Sequence, residues 1–302
     1  MAYKDAEGND MLPGMPARLF VATPTKLLTF ADCKRKYRYT YLEKPQPSKG
    51  PPWAHNTVGA AVHETLADFW RWPVSRRTSV AAMTELRNRW RHEGFRDAEQ
   101  SARWRERSAE MVASYLTDVD PNDEPRGVER TVSFTTARAS LRGRVDRIDE
   151  RPARAGAGTE LAIVDYKTGR RPLSSTDARS SLAMALYVLG ARRVLRRPCT
   201  RVELHHLPTN TVAAADHDDA SLQRHQRRAE AIVDDAAAAE KRWYDGLSPA
   251  EADEVFPPEP SPLCGWCDFA RLCPQGRRVA PPRAAWAGLD EETVAESSED
   301  QV

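Results

Sequence analysis

The sequence predicts an α/β fold in which a central mixed β-sheet is flanked by helices, and three observations carry that prediction. Up to about residue 120, apolar side chains recur every three or four positions, the repeat of amphipathic helices. Between residues 128 and 167 the pattern changes to short apolar or alternating runs of strand length. Further on, helical and strand segments alternate, as expected of a sheet with helices packed around it. A chain of 302 residues can bury one substantial core with a small appended module.

Residues 1–20 read as a flexible arm, broken by Pro13, Gly14 and Pro16. Thr23-Pro24 opens a helix, with threonine as cap and proline in the first turn, and the pattern continues through Leu27, Leu28, Phe30 and Ala31 to Tyr37. A loop rich in Pro and Gly (45–52) precedes a second helix from about Thr57 to Trp72, whose Val62, His63, Leu66, Phe69 and Trp70 share a face. Helices at about 78–93 and 97–118 follow, rich in Arg and Trp. Strands are expected at 128–135 and 139–150, as a hairpin, and at 161–167. Then come a helix at about 176–197, strands near 201–207 and 211–215, and a long helix to about Tyr244. No internal repeat is visible.

The formal net charge is +1, so a polyanion-binding surface has to be local. After Arg283 the chain carries Asp290, Glu291, Glu292, Glu296, Glu299 and Asp300 and no basic residue, and the segment 277–302 is expected to be a disordered acidic tail. No apolar run nears the roughly 20 residues of a membrane span. The polar N-terminus lacks the apolar stretch of a secretory leader. The expectation is a cytoplasmic protein with reduced thiols.

Two strand segments hold the most informative chemistry. Ile163-Val164-Asp165-Tyr166-Lys167-Thr168-Gly169 ends an apolar strand in an acid and an amine, which share a face because strand residues i and i+2 do. The preceding strand carries Gly143-Arg144-Val145-Asp146. If the strands are neighbours, Asp146 stands beside Asp165, and two close carboxylates repel unless one is protonated or a cation lies between them. A hard divalent ion, Mg²⁺ or Mn²⁺, takes such oxygens together with substrate phosphate. Lys167 would then serve a water attacking phosphorus. The tripeptide Asp-x-Lys alone is equally an ion pair at a strand end; its company favours the metal reading. That company includes His63, behind the small residues Gly59-Ala60-Ala61, which is either a third ligand or a core histidine.

Cys264-Gly-Trp-Cys267, five further residues and Cys273 place three thiols within ten positions, spacing suited to a thiophilic centre. A fourth thiolate comes from Cys33 or from Cys199; the latter follows a helix end with no motif around it and reads as a structural thiol. Spacing does not separate zinc from iron–sulfur.

Together, Gly59-x-x-x-His63, Gly143-x-x-Asp146 and Asp165-Tyr-Lys167-Thr-Gly resemble the ordered motifs of RecB-family exonucleases in the PD-(D/E)xK superfamily. The resemblance spans about residues 23–276 and implies a restriction-endonuclease-like core. It implies a metal held by His63, Asp146, Asp165 and the backbone carbonyl of Tyr166, with Asp146, Asp165, Lys167 and Tyr187 in the catalytic centre. Such proteins usually carry Gln-x-x-x-Tyr on the next helix; here Tyr187 is present but the glutamine position is Ala183. Cys33 in Phe30-Ala-Asp-Cys33-Lys-Arg-Lys-Tyr37, with the later Cys264, Cys267 and Cys273, is similar to the AddB-type iron–sulfur staple. That likeness implies a 4Fe-4S cluster joining the N- and C-terminal segments across about 230 residues.

The domains so implied are a nuclease unit over 21–276 (helical part about 57–120, catalytic core about 127–245, cysteine module 262–276) between the arm and the tail. The partner implied is DNA, single-stranded or at ends, in repair or recombination; defence and mobile-element roles are equally compatible. Lys34 and Arg35 beside Cys33, and Arg192, Arg193 and Arg196 on a helix, are candidate phosphate contacts or else solvated faces. Trp residues between 70 and 104 fit core packing better than base stacking. There is no helicase P-loop motif, so a motor would be a separate chain, and other subunits are compatible. The departure at Ala183 leaves an alternative, a catalytically weak or inactive subunit that binds DNA within a larger complex.

Overall fold

In the computed structural model, which describes residues 3–4, 10–11, 19–153 and 158–289, the sheet is built around one long strand, β5. The strands are β1 (Tyr3–Lys4), β2 (Asp10–Met11), β3 (Phe20–Ala22), β4 (Gly127–Thr135), β5 (Ala139–Pro152), β6 (Thr159–Lys167), β7 (Cys199–His206) and β8 (Thr211–Asp216). β1 and β2 form a separate antiparallel pair. The main sheet runs β3-β5-β6-β7-β8, with β4 paired to β5. It is mixed: β3 lies parallel to β5 and β6 parallel to β7, while the β4–β5, β5–β6 and β7–β8 pairs are antiparallel. The predicted fold class, a mixed sheet flanked by helices, is what the chain adopts.

The helices are α1 (Pro24–Asp32), α2 (Lys34–Tyr37), α3 (Ala54–Arg71), α4 (Ser79–Asn88), α5 (Ala98–Thr117), α6 (Ser175–Ser180), α7 (Leu182–Leu195), α8 (Asp219–Tyr244), α9 (Pro249–Val255) and α10 (Pro274–Val279). Helices α3, α4 and α5 close one face of the sheet over Val164, Tyr166 and Leu207. Helices α6 and α7 close the other, over Ile148, Leu161, Ile163 and Val202. Helix α1 packs on α8, with Leu27 against Ala229 and Val233. Trp70, Trp72 and Trp90 are buried in the helical core, as expected of packing residues.

Three boundaries differ from the sequence reading. The first helix does not run unbroken to Tyr37: Cys33 is extended, with φ −164° and ψ 111°, and its sulfur accepts from the Lys36 amide to start α2. The helix expected at 176–197 is two, because Ser181 leaves helical geometry and caps α7 through the Met184 amide. It stops at Leu195, where Arg196 turns left-handed with φ +53°. The disordered tail does not begin at 277: α10 continues to Val279, and Ala285 and Leu289 are buried, the Ala285 carbonyl accepting from the Ala54 amide at the start of α3. These apolar side chains repay the ordering of a segment whose acidic remainder, 290–302, lies outside the described residues, as does most of the arm 1–20.

Candidate active site

Strand register places the three carboxylates. Arg147 pairs with Val164, so Asp146 and Asp165 stand opposite each other where β5 and β6 part. Val128 pairs with Arg147 and Arg130 with Val145, so Glu129 stands opposite Asp146 from the other side. Three acids thus lie in a row across β4, β5 and β6. Like charges directly opposite on paired strands are destabilising, so the row asks for compensation.

Tyr166 shows how the parted strands are held. Its amide donates to Asp146 Oδ2 at 2.9 Å, in place of a ladder bond. Its carbonyl faces His63 Nε2 at 3.0 Å, while His63 Nδ1 lies 3.2 Å from Asp146 Oδ2. Both imidazole nitrogens therefore meet acceptors. Burial alone would lower the His63 pKa, but the hydrogen bond and charge of Asp146, with Asp165 behind it, raise it above the ordinary value. Burial would likewise raise Asp146; the bond and charge of His63 and the Tyr166 amide hold it below the usual range. Asp165 goes the other way, pushed up by burial and by Asp146 against the pull of Lys167, to which it is ion-paired. The structure thus joins His63, Asp146 and the Tyr166 main chain by direct contacts, with the Asp165–Lys167 ion pair beside them.

Tyr187 on α7 reaches the same place. A β-carbon at Gly143 would sit 2.3 Å from its ring, so the glycine of Gly143-x-x-Asp146 is the seat of that tyrosine. Burial first, then Asp165 and Asp146, push its hydroxyl up to about 12. Gly59 is less demanding: a β-carbon there would meet Thr168 Oγ1 at an ordinary 3.5 Å.

Below the sheet, Tyr166 is anchored by its side chain. Its hydroxyl accepts from Trp70 Nε1 and from Arg147 Nη1, each at 3.1 Å. Arg147, 4 % exposed, also donates to Tyr115 and pairs with Asp149. Tyr115 meets His205 Nδ1 at 2.9 Å, and His205 Nε2 faces Glu203. This buried network ties α3 and α5 to the strand that bears the acid and the amine.

A family model described as the PD-(D/E)XK nuclease superfamily matches residues 21–274. The chain belongs to that superfamily. PD-(D/E)XK nucleases use divalent metals, and the chemistry of this donor set, carboxylate oxygens, a carbonyl and an imidazole, fits such an ion. No curated protein matches the chain. Among solved structures, 26 chains match. One, the crystal structure of a "Putative exonuclease" from Eubacterium rectale, is 13 % identical, with 65 % of this chain and 80 % of that chain covered. Its TM-score of 0.32 is too low to bear on fold or function.

Sequence reasoning missed Glu129. Ligand atoms of His63, Glu129 and Asp146 lie within 4.8 Å of one another, a set able to hold a metal ion in this PD-(D/E)XK centre. Glu129 takes φ +50°, a left-handed backbone that costs a non-glycine residue about 1 kcal/mol, and it pairs with the exposed Arg144. Registering the hairpin residue by residue would have revealed it, since Val128-Glu129-Arg130 lies in a predicted strand.

The basic residues divide. Arg35 is buried, donating to Gln275 and pairing with Asp253, so it joins α2 to the cysteine module and is not a phosphate contact. Arg192 is spent on the Cys199 carbonyl and Asp219. Arg193 and Arg196 are exposed, but the left-handed turn at Arg196 breaks the helical stripe. Lys34 lies over the Phe30 ring.

Cys33, Cys264, Cys267 and Cys273 line one cavity. Backbone amides reach three of the sulfurs: Lys36 to Cys33 and Gly276 to Cys273 at 3.4 Å, and Ser261 to Cys264 at 3.3 Å. A β-carbon at Gly276 would crowd the Cys264 and Cys273 sulfurs at 3.2 and 3.4 Å. Cys199 is elsewhere, buried at the start of β7, its thiol pushed up to about 12 by burial. Among the described residues, no helix is long and apolar enough to cross a membrane.

Proposed function

We propose that the chain is a DNA exonuclease that hydrolyses phosphodiesters of single strands or ends with Mg²⁺ or Mn²⁺. One observation carries this reading: His63, Asp146, Asp165 and the Tyr166 carbonyl gather beside the Lys167 amine, from three segments spread over about a hundred residues. The bound ion would supply charge neutralisation at the phosphate and a more acidic water. His63, Asp146, Asp165 and the Tyr166 carbonyl would hold it, and Lys167, released from Asp165, would orient the attacking water. Tyr187, protonated at neutral pH, stands ready to donate a hydrogen bond to a phosphate oxygen. The family setting is DNA end processing, repair or recombination, alongside a separate helicase or other subunits.

The test is cleavage of an end-labelled single strand with Mn²⁺ by the wild type, Asp165→Ala and Lys167→Ala. Loss of at least a hundredfold in both variants is expected; full activity in either refutes the assignment. Ala183, where a glutamine is usual, favours a second reading, a subunit that binds DNA without cutting. Salt-dependent binding with no metal-dependent cleavage by the wild type would establish it.

The four cysteines support a 4Fe-4S cluster at the AddB-type position. A single zinc ion, with Zn–S near 2.3 Å, needs sulfurs about 3.8 Å apart. Among the described residues no three cysteine sulfurs lie within 4.8 Å of one another, although all four line one cavity. Anaerobic purification should yield a brown protein with four irons and four sulfides, absent from Cys33→Ser. A colourless protein with one zinc would refute the cluster.

A further inference from the structure

We propose that a cavity beside the cysteine module binds a nucleotide of single-stranded DNA, its base against aromatic side chains and its phosphate on two arginines. The proposal rests on the nuclease reading and gives the strand a second point of attachment. The cavity, of about 420 Å³, is walled by Trp53, Phe95 and Trp286, and Arg271 and Arg283 stand on its rim. It is assembled from four stretches of chain that meet closely. A β-carbon at Gly94 would strike the Pro52 carbonyl at 2.4 Å, and one at Gly265 the Pro281 carbonyl at 2.9 Å.

Three features make it a nucleotide site and not a packing gap. The three aromatic side chains are only half-buried, unlike Trp70, Trp72 and Trp90 of the core. The Trp53 indole N–H donates to Asp268 at 2.8 Å, which fixes one wall. Arg271 and Arg283 are exposed and, among the described residues, neither has an acidic partner, although many arginines of this chain do. Arg283 rests over the Trp266 ring, 5.0 Å from its centroid, so its charge is held near the rim. Aromatic faces take any base, and unpaired guanidinium groups take backbone phosphate.

Position supports the same occupant. Trp53 caps α3, and His63 lies ten residues along that helix, about 15 Å at 1.5 Å per residue. Gly59, one turn before His63, lies beside Thr168, just after Lys167. A strand held in the cavity would therefore reach the acids within a few nucleotides.

The experiment is fluorescence anisotropy of a labelled twenty-nucleotide oligothymidylate with the full-length protein in EDTA, as a function of salt. Arg271→Ala/Arg283→Ala should weaken binding at least tenfold near 0.1 M salt. It should also reduce the slope of log K against log salt by about 1.4, roughly 0.7 for each lost phosphate contact on a single strand. Trp286→Leu should weaken binding on the order of tenfold with the slope unchanged, since stacking carries no counterion. Circular dichroism and metal content confirm that each variant is folded. Wild-type affinity and slope in the arginine variant overturn the proposal, and so does a Trp286→Leu variant that is folded and binds normally. Cleavage by the wild type, measured separately with Mn²⁺, separates the two readings. If the wild type cuts DNA but the arginine variant binds it unchanged, the cavity assignment alone falls. If the wild type never cuts, the nuclease reading falls and the binding data still decide the cavity.

Discussion

Tyr166→Phe removes one oxygen atom from beneath the site. That hydroxyl is fully buried and accepts from Trp70 Nε1 and Arg147 Nη1. Without it the indole N–H has no acceptor in a region closed to water, at a cost of roughly 1–3 kcal/mol. Arg147 keeps Asp149 and Tyr115 and loses one charge-assisted bond, about 1.5 kcal/mol more. The expected loss is about 3 kcal/mol, measured by urea unfolding of the metal-free protein at neutral pH. Trp70→Phe in the same background restores part of it, because the orphaned donor is gone, and a double-mutant cycle should show coupling of at least 1 kcal/mol. Because the Tyr166 main chain holds both Asp146 and His63, Mn²⁺ affinity should also fall about tenfold, read by calorimetric titration. A loss below 1 kcal/mol, with no coupling to Trp70, would refute the view that this network braces the strand.

Other expectations follow from single residues. Gly143→Ala should cost about 1–3 kcal/mol and lower cleavage, since the new methyl displaces the Tyr187 ring; wild-type stability would show that the ring has another seat. Glu129→Gly should leave the metal-free protein within about 1 kcal/mol of wild type in either direction, because relief of the positive φ offsets the freedom gained by the unfolded chain, while Mn²⁺ binding weakens at least tenfold; unchanged binding would exclude Glu129 from the centre. His217 is buried, and that burial, with His225 and Arg179 nearby, lowers its pKa to about 4. Between that value and the ordinary 6.5 the unfolded chain binds the proton and the folded one resists it, so stability is complete above pH 6.5 and falls as pH drops towards 4. About 2 kcal/mol of the loss between pH 7 and pH 5 should vanish in His217→Gln, and an unchanged pH profile would exclude His217 as its source.

Much of this was legible in the sequence because it depends on local repeats. The β4–β5 hairpin, β6 and α3 each announce themselves by periodicity, and the side-chain alternation of β6 puts Asp165 and Lys167 on one face. Register is not local, which is why Glu129 escaped notice: facing Asp146 is a property of two strands. The fate of Arg35 was hidden for a similar reason. Its neighbours Lys34 and Lys36 are polar, so the run reads as a solvated face, and only the fold brings Asp253 and Gln275 to bury it. Cys33 shows the opposite case: a helix pattern runs through it, yet its backbone is extended and its sulfur starts a new helix through the Lys36 amide. The segment 277–289 was misjudged because acidic composition further on masked the few apolar groups that anchor it.

The cysteine cavity unites α1 and α2 with a segment more than two hundred residues further along the chain. On a ribosome, α1 and α2 emerge well before the groups that bury Tyr37 and Arg35, which arrive only with α8, α9 and α10. Until then α1 and α2 lack those partners, and a product cut short before residue 273 cannot complete the four-cysteine cavity.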